Sequence, residues 1–172
     1  MKKILILLFL FLLVPVVRAE EEDLAPNAKS AIMIEASTGE ILFQKNKDEK
    51  LAPASMTKMM SMLLIMEEIE NGNLKWDEMI TASERAASMG GSQIFLKVGE
   101  KMSVTDMLKG ISIASGNDAT VAMAERISGS EESFVKKMND RAKELGLKNT
   151  NFINATGLTA DNHYSSANDM VL

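Results

Sequence analysis

The hydrophobic pattern changes period near Lys50, and this change limits the folds open to the chain. Before it, residues 30–36 (SAIMIEA) and 40–45 (EILFQK) are strand-like runs. The tripeptide Ser37-Thr38-Gly39 between them predicts a β-hairpin with a glycine-containing three-residue connection. After Lys50 the pattern is helical. Pro53-Ala54-Ser55 opens an apolar-periodic segment that runs to about residue 70 and closes at Asn71-Gly72. A shorter helical piece over 82–88 ends at Gly90-Gly91. Ser103, with Asp106 three residues on, forms a capping box, and Val104, Met107, Leu108 and Ile111 make the buried stripe behind it. Ser115-Gly116-Asn117 interrupts the helical pattern, which resumes over 118–127. Ser130 caps an amphipathic helix through Phe134, Met138 and Leu145, closed by Gly146. Residues 149–172 are turn-rich. A hairpin followed by a cluster of helices reads as the front half of an α+β domain.

The first residues predict export. Lys2 and Lys3 precede an apolar run over 4–17, and Val17-Arg18-Ala19 offers a small-residue cleavage site. These are the three parts of a secretory leader, and the run is too short to cross a bilayer comfortably. Residues 1–19 are therefore read as a signal peptide and 20–172 as the folded part. Cleavage would remove three cations, Lys2, Lys3 and Arg18, and deepen the net charge from −5 to −8. An acidic balance argues against nucleic acid or anionic lipid as the main partner. The chain has no cysteine, so an exported domain of this sequence relies on its core instead of disulfides. Met59, Met60, Met62 and Met66 follow one helical pattern and read as core, so no metal and no cofactor is expected.

Ser55 and Lys58 lie three residues apart at the start of the long helix, where such pairs share a face with Cβ atoms about 5–6 Å apart. A serine hydroxyl is a weak nucleophile until a base takes its proton, and a lysine serves as that base once burial lowers its pKa. Leu51, Met56, Met59, Met60 and Leu63 supply apolar flanks. The helix start also offers free backbone N–H groups to a developing oxyanion. The spacing alone is weak, because 15 serines and 15 lysines produce it by chance. Ser133 and Lys136 repeat it, but beside Glu131 and Glu132, where the lysine is solvated and the serine structural. Ser115-Gly116-Asn117 adds a hydroxyl and an amide at a helix break, where glycine would let the backbone turn both toward one cavity. Alone, that tripeptide reads equally as a helix C-cap followed by an N-cap.

Ser55-Met56-Thr57-Lys58 followed by Ser115-Gly116-Asn117 resembles the penicillin-recognising serine enzymes, whose signature also includes Lys-Thr-Gly. Within them the chain resembles the D-alanyl-D-alanine carboxypeptidases of low molecular mass. Gly90-Gly91-Ser92, Ser115-Gly116-Asn117-Asp118-Ala119, Phe134, Met138-Asn139, Leu145-Gly146, Gly157-Leu158, His163-Tyr164-Ser165 and Asp169-Met170 carry that likeness. The resemblance implies a β-lactamase/DD-peptidase-like α+β fold with an antiparallel sheet and a helical cluster. It also implies an acyl-enzyme on Ser55, with Lys58 as base, Ser115 passing the proton to the departing D-alanine, and Asn117 orienting the peptide. Ser92 and Phe95 are implied to line the cleft. The implied substrate is a peptidoglycan stem peptide ending in D-Ala-D-Ala, at the extracytoplasmic face of a bacterial membrane, with β-lactams as covalent inhibitors.

Lys-Thr-Gly is absent from the 172 residues, as are the later sheet strands, a C-terminal β-domain and an amphipathic membrane anchor. The chain is therefore expected to be the N-terminal part of a longer protein, poorly folded and inactive alone. A class A β-lactamase is the nearest rival, but residues 148–155 (KNTNFINA) hold no carboxylate to activate a deacylating water. A non-catalytic wall-binding or penicillin-sensing protein is the alternative from another class, and the intact Ser55, Lys58, Ser115 and Asn117 argue against it. His163, the only histidine, could join Asp161 or Asp169 in a triad, but the spacing supports neither partner.

Overall fold

The computed structural model describes residues 23–172, so the leader expected over residues 1–19 lies outside the described residues. The predicted hairpin forms from β1 (Ala31–Ile34) and β2 (Ile41–Lys45), which pair antiparallel with a bulge between Met33 and Ile34. The Glu35 carboxylate closes the turn. It accepts from the backbone N–H and the hydroxyl of both Ser37 and Thr38. Those bonds, that of the Thr38 hydroxyl foremost, pull its pKa down to about 2.

The long helical segment forms in two parts, a 3₁₀ turn (Ala54–Thr57) and then α1 (Lys58–Glu70). Asn71 and Gly72, the latter at φ +74°, end it as read. Next come β3 (Met79–Thr81), α2 (Glu84–Ala87), β4 (Lys101–Ser103), α3 (Val104–Ala114), α4 (Asn117–Ser128), α5 (Glu131–Glu144) and the short α6 (Ala167–Met170). Ser103 caps α3 as read, its Oγ accepting from the Asp106 N–H at 3.1 Å. The reciprocal half of the box does not form: the Asp106 carboxylate accepts from Ser103 Oγ at 2.9 Å and not from the Ser103 backbone N–H.

α4 is the central element, with every residue from Asn117 through Ala124 buried. One core cluster on it gathers Ile65, Leu74, Ile80, Val104, Met107, Ile111, Val121 and Met123. The other gathers Met60, Leu64, Ala124, Phe134, Met138 and Phe152. Complete burial of side chains such as Phe134 and Met107 contributes about 1.5–3 kcal/mol each. α1 contributes to both clusters, so its start is anchored on the body of the domain.

Three features depart from the sequence reading. β3 and β4 pair antiparallel, Ile80 opposite Met102, a ribbon that no periodic pattern foreshadows. Three residues per strand are too few for a period-two pattern to emerge. Of the four methionines read as core, Met60 is buried and Met59 is 51% exposed. Met62 and Met66 are half-buried. The helical repeat turns Met59, with Met56 and Leu63, to the outer side of the segment. Finally, the turn between α3 and α4 is made at Ser115, at φ +56°, whereas Gly116 has an ordinary φ of −60°. Gly116 is needed there for space, since a Cβ would lie 3.1 Å from the Asp118 carboxylate and 3.3 Å from Gly110 O.

Candidate active site

Because the first turn is 3₁₀, side chains three apart nearly eclipse, which brings Lys58 over Ser55. Lys58 Nζ lies 3.2 Å from Ser55 Oγ and donates to Thr156 O at 2.8 Å. Ser55 is exposed, whereas Lys58 is only 3% exposed. Burial alone lowers the Lys58 pKa below its ordinary value, and no carboxylate pairs with it among the described residues. A neutral amine so held keeps an N–H for the Thr156 carbonyl and a lone pair for the serine hydroxyl. That is the chemistry a serine nucleophile requires.

The loop that supplies Thr156 O is fixed from several sides. Asn154 Oδ1 accepts from the N–H groups of Thr156 and Gly157. Ala155 O accepts from Ser61 Oγ, and the Ala155 N–H donates to the buried Glu131 carboxylate, which also pairs with Arg85. Gly157, at φ +86°, passes so close to the 54–57 turn that an added Cβ would sit 1.8 Å from Ala54 O. Only glycine fits there.

A cleft of about 240 Å³ opens beside Ser55, walled by Ala54, Gly91, Ser92, Asn117 and the 156–159 loop. The Asn117 side-chain amide donates to Gly90 O at 2.7 Å, which leaves its carbonyl oxygen and a second N–H for a ligand. Ser115 lies at the α3–α4 corner, two residues before Asn117. It does not wall the cleft, and its buried Oγ has no hydrogen-bond partner among the described residues. Ser92 faces the cleft as expected. Phe95 does not; it is 78% exposed outside the cleft wall. The Asp118 carboxylate accepts from the N–H groups of Ile94 and Leu96 and so holds Phe95 at φ +62° between them.

Among the described residues, five other than glycine have positive φ. Two are asparagines, Asn46 and Asn162, which tolerate that region. The other three, Ala54, Phe95 and Ser115, precede Ser55, follow Ser92 and precede Asn117. Strain of this kind concentrates where the surroundings impose a functional geometry.

The second Ser-x-x-Lys pair is structural, as read. Ser130 Oγ caps α5 by accepting from the Ser133 N–H, and Lys136, 79% exposed, pairs with Asp140. His163 forms no triad with Ser55. It is buried against Thr57, Ile153 and Phe152, a placement its sequence position gave no hint of.

The model of the D-alanyl-D-alanine carboxypeptidase family matches residues 16–172. The chain belongs to this family of serine peptidases. It is 66% identical over 150 residues to D-alanyl-D-alanine carboxypeptidase DacF of Bacillus subtilis, covering 87% of this chain and 39% of that protein. It is 41% identical over 173 residues to DacC of Escherichia coli, covering 95% and 43%. Among solved structures, DacD from Francisella tularensis superposes with a TM-score of 0.82 at 44% identity, over 84% of this chain and 35% of that one. The chain thus spans about two fifths of the curated relatives it matches, and its α+β fold is the DD-peptidase fold over that span.

Proposed function

We propose that the full-length protein is a serine-type D-alanyl-D-alanine carboxypeptidase that trims peptidoglycan stem peptides. Ser55 Oγ attacks the carbonyl carbon of the penultimate D-alanine while neutral Lys58 accepts its proton. The tetrahedral adduct collapses by breaking the bond to the terminal D-alanine, whose nitrogen receives a proton passed through Ser115. Asn117 orients the peptide through its side-chain amide. Water then attacks the ester on Ser55, which releases the shortened stem and restores the serine. A β-lactam acylates Ser55 by the same attack on its strained amide.

The observation that carries this reading is the buried Lys58 amine, 3.2 Å from Ser55 Oγ and without an acidic partner among the described residues. The orphaned Ser115 hydroxyl supports a place for that residue in the proton path. Lys-Thr-Gly, which would give the substrate carboxylate a cation, belongs to sequence outside these 172 residues. The leader over 1–19 directs export, and the protein works at the outer face of the membrane, held there by a C-terminal amphipathic anchor.

The test is release of D-alanine from diacetyl-Lys-D-Ala-D-Ala by the full-length protein. Ser55→Ala should abolish it, by at least about a thousandfold. Equal turnover in the wild type and Ser55→Ala would overturn the assignment, and many nitrocefin turnovers per second would favour a β-lactamase.

A further inference from the structure

His163 is the only histidine, and the mechanism above gives it no task. It is 6% exposed and packs edge-on against Phe152, the ring centroids 5.9 Å apart. Both of its nitrogens are engaged. The backbone N–H of Ile153 donates to Nδ1 at 3.1 Å, so Nδ1 carries the lone pair and the proton sits on Nε2. Nε2 then donates to Thr57 Oγ1 at 2.8 Å, across 106 residues of sequence. Burial lowers the imidazole pKa, which favours the neutral ring this arrangement needs.

The two ends of this link are the two halves of the catalytic pair's support. Thr57, fully buried, lies between Ser55 and Lys58 in the 3₁₀ turn. Ile153 leads into the loop whose Thr156 carbonyl holds Lys58 Nζ. The turn needs outside support: it has no side-chain cap, and it starts at Ala54 with φ +47°. The Lys58–Ser55 separation of 3.2 Å is already at the long end of hydrogen-bond reach, so a small rotation of the turn would break it.

We infer that His163 is a positioning residue: its neutral Nε2–H tautomer clamps Thr57 to the 153–156 loop and so sets the reach between Ser55 and Lys58. This rests on Ser55 and Lys58 being nucleophile and base, as proposed above. His163 touches neither the substrate nor the reacting atoms.

Three variants of the full-length protein separate the clamp from general stability. His163→Gln keeps a donor where Nε2 stood, His163→Asn keeps an acceptor for Ile153 but falls short of Thr57, and Thr57→Val removes the acceptor in nearly the same shape. Acylation by a penicillin is split into a noncovalent Kd and an acylation rate constant, and 15N NMR of the wild type reads the imidazole tautomer. His163→Asn and Thr57→Val should slow acylation about fivefold or more with Kd within about threefold. His163→Gln, which keeps the Thr57 end of the clamp but not the Ile153 end, should fall between wild type and His163→Asn. The double variant His163→Asn/Thr57→Val should be no slower than the slower single one, because both remove one link.

The clamp is overturned by near-wild-type acylation in His163→Asn or Thr57→Val, by His163→Gln slowing as far as His163→Asn, or by additive losses in the double variant. It is also overturned if the wild-type 15N spectrum shows the Nδ1–H tautomer, a readout that stands even if every variant misfolds. A wild type that neither acylates nor releases D-alanine would overturn the functional reading instead, while the tautomer would still report whether the clamp exists.

Discussion

In the proposed mechanism Lys58 is the base, and its burial also carries a cost to folding. As a base it works only when neutral, and burial places its pKa below the ordinary 10.5. Acylation should therefore rise with pH as Lys58 loses its proton, with a midpoint below 10.5, which a pH profile of kcat/KM checks. Lys58→Arg, cationic at every accessible pH, should lose acylation throughout that profile. The sign for stability follows from the same shift. Between the folded pKa and 10.5 the unfolded chain binds more protons than the folded one, so stability rises with pH across that window. Urea titrations should show this slope in the wild type minus Lys58→Met difference and no such slope below the window. Gly157→Ala belongs to the same scale. Its Cβ would meet Ala54 O at 1.8 Å, so the loop or the nucleophile turn must shift, with about 2–4 kcal/mol lost in urea unfolding and acylation lost with it. Ser55 and Lys58 were legible because their interaction is local, three residues along one helix start. Thr57, Thr156 and His163 were not, because they act through backbone carbonyls and contacts 98 to 106 residues apart. No local pattern encodes such contacts.

Among the elements, α3 and α4 were readable from their caps and stripes, and the corner between them was not. Ser103 is the N-cap of α3, so Ser103→Ala should cost about 1 kcal/mol by urea unfolding with little effect on acylation. At the other end, the tripeptide Ser-Gly-Asn signals a break without saying which residue turns left-handed. Ser115 takes the positive φ, while the space at Gly116 is what requires glycine, since a Cβ there would press on Gly110 O and Asp118. Asp118 then holds the neighbouring strained segment by accepting from the N–H groups of Ile94 and Leu96. Asp118→Asn would swap an acceptor oxygen for an N–H facing those donors. The expected loss is about 2 kcal/mol in stability, with weaker penicillin acylation as the 92–96 segment moves away from the cleft.

At the scale of the whole molecule, two cores built on α4 account for why the active-site side of α1 is ordered. The outer side of the same segment exposes Met56, Met59 and Leu63. Beside it, Met59, Leu63, Leu145, Leu147 and Met170 line an apolar groove. Together with a span of about two fifths of the relatives, this predicts that the 172-residue chain alone binds an apolar dye such as ANS, unfolds over a broad temperature range and takes up no fluorescent penicillin. A sharp calorimetric transition with stoichiometric labelling would contradict that. The central claim, that Ser55 and not the equally spaced Ser133 is the nucleophile, is tested most directly by mapping the acyl-enzyme. The full-length protein is labelled with a penicillin, digested with trypsin and sequenced by mass spectrometry. The penicilloyl group should lie on the peptide spanning residues 51–58, at Ser55. Its appearance on the peptides spanning 110–126 or 127–136, or no label on a folded protein, would contradict the account.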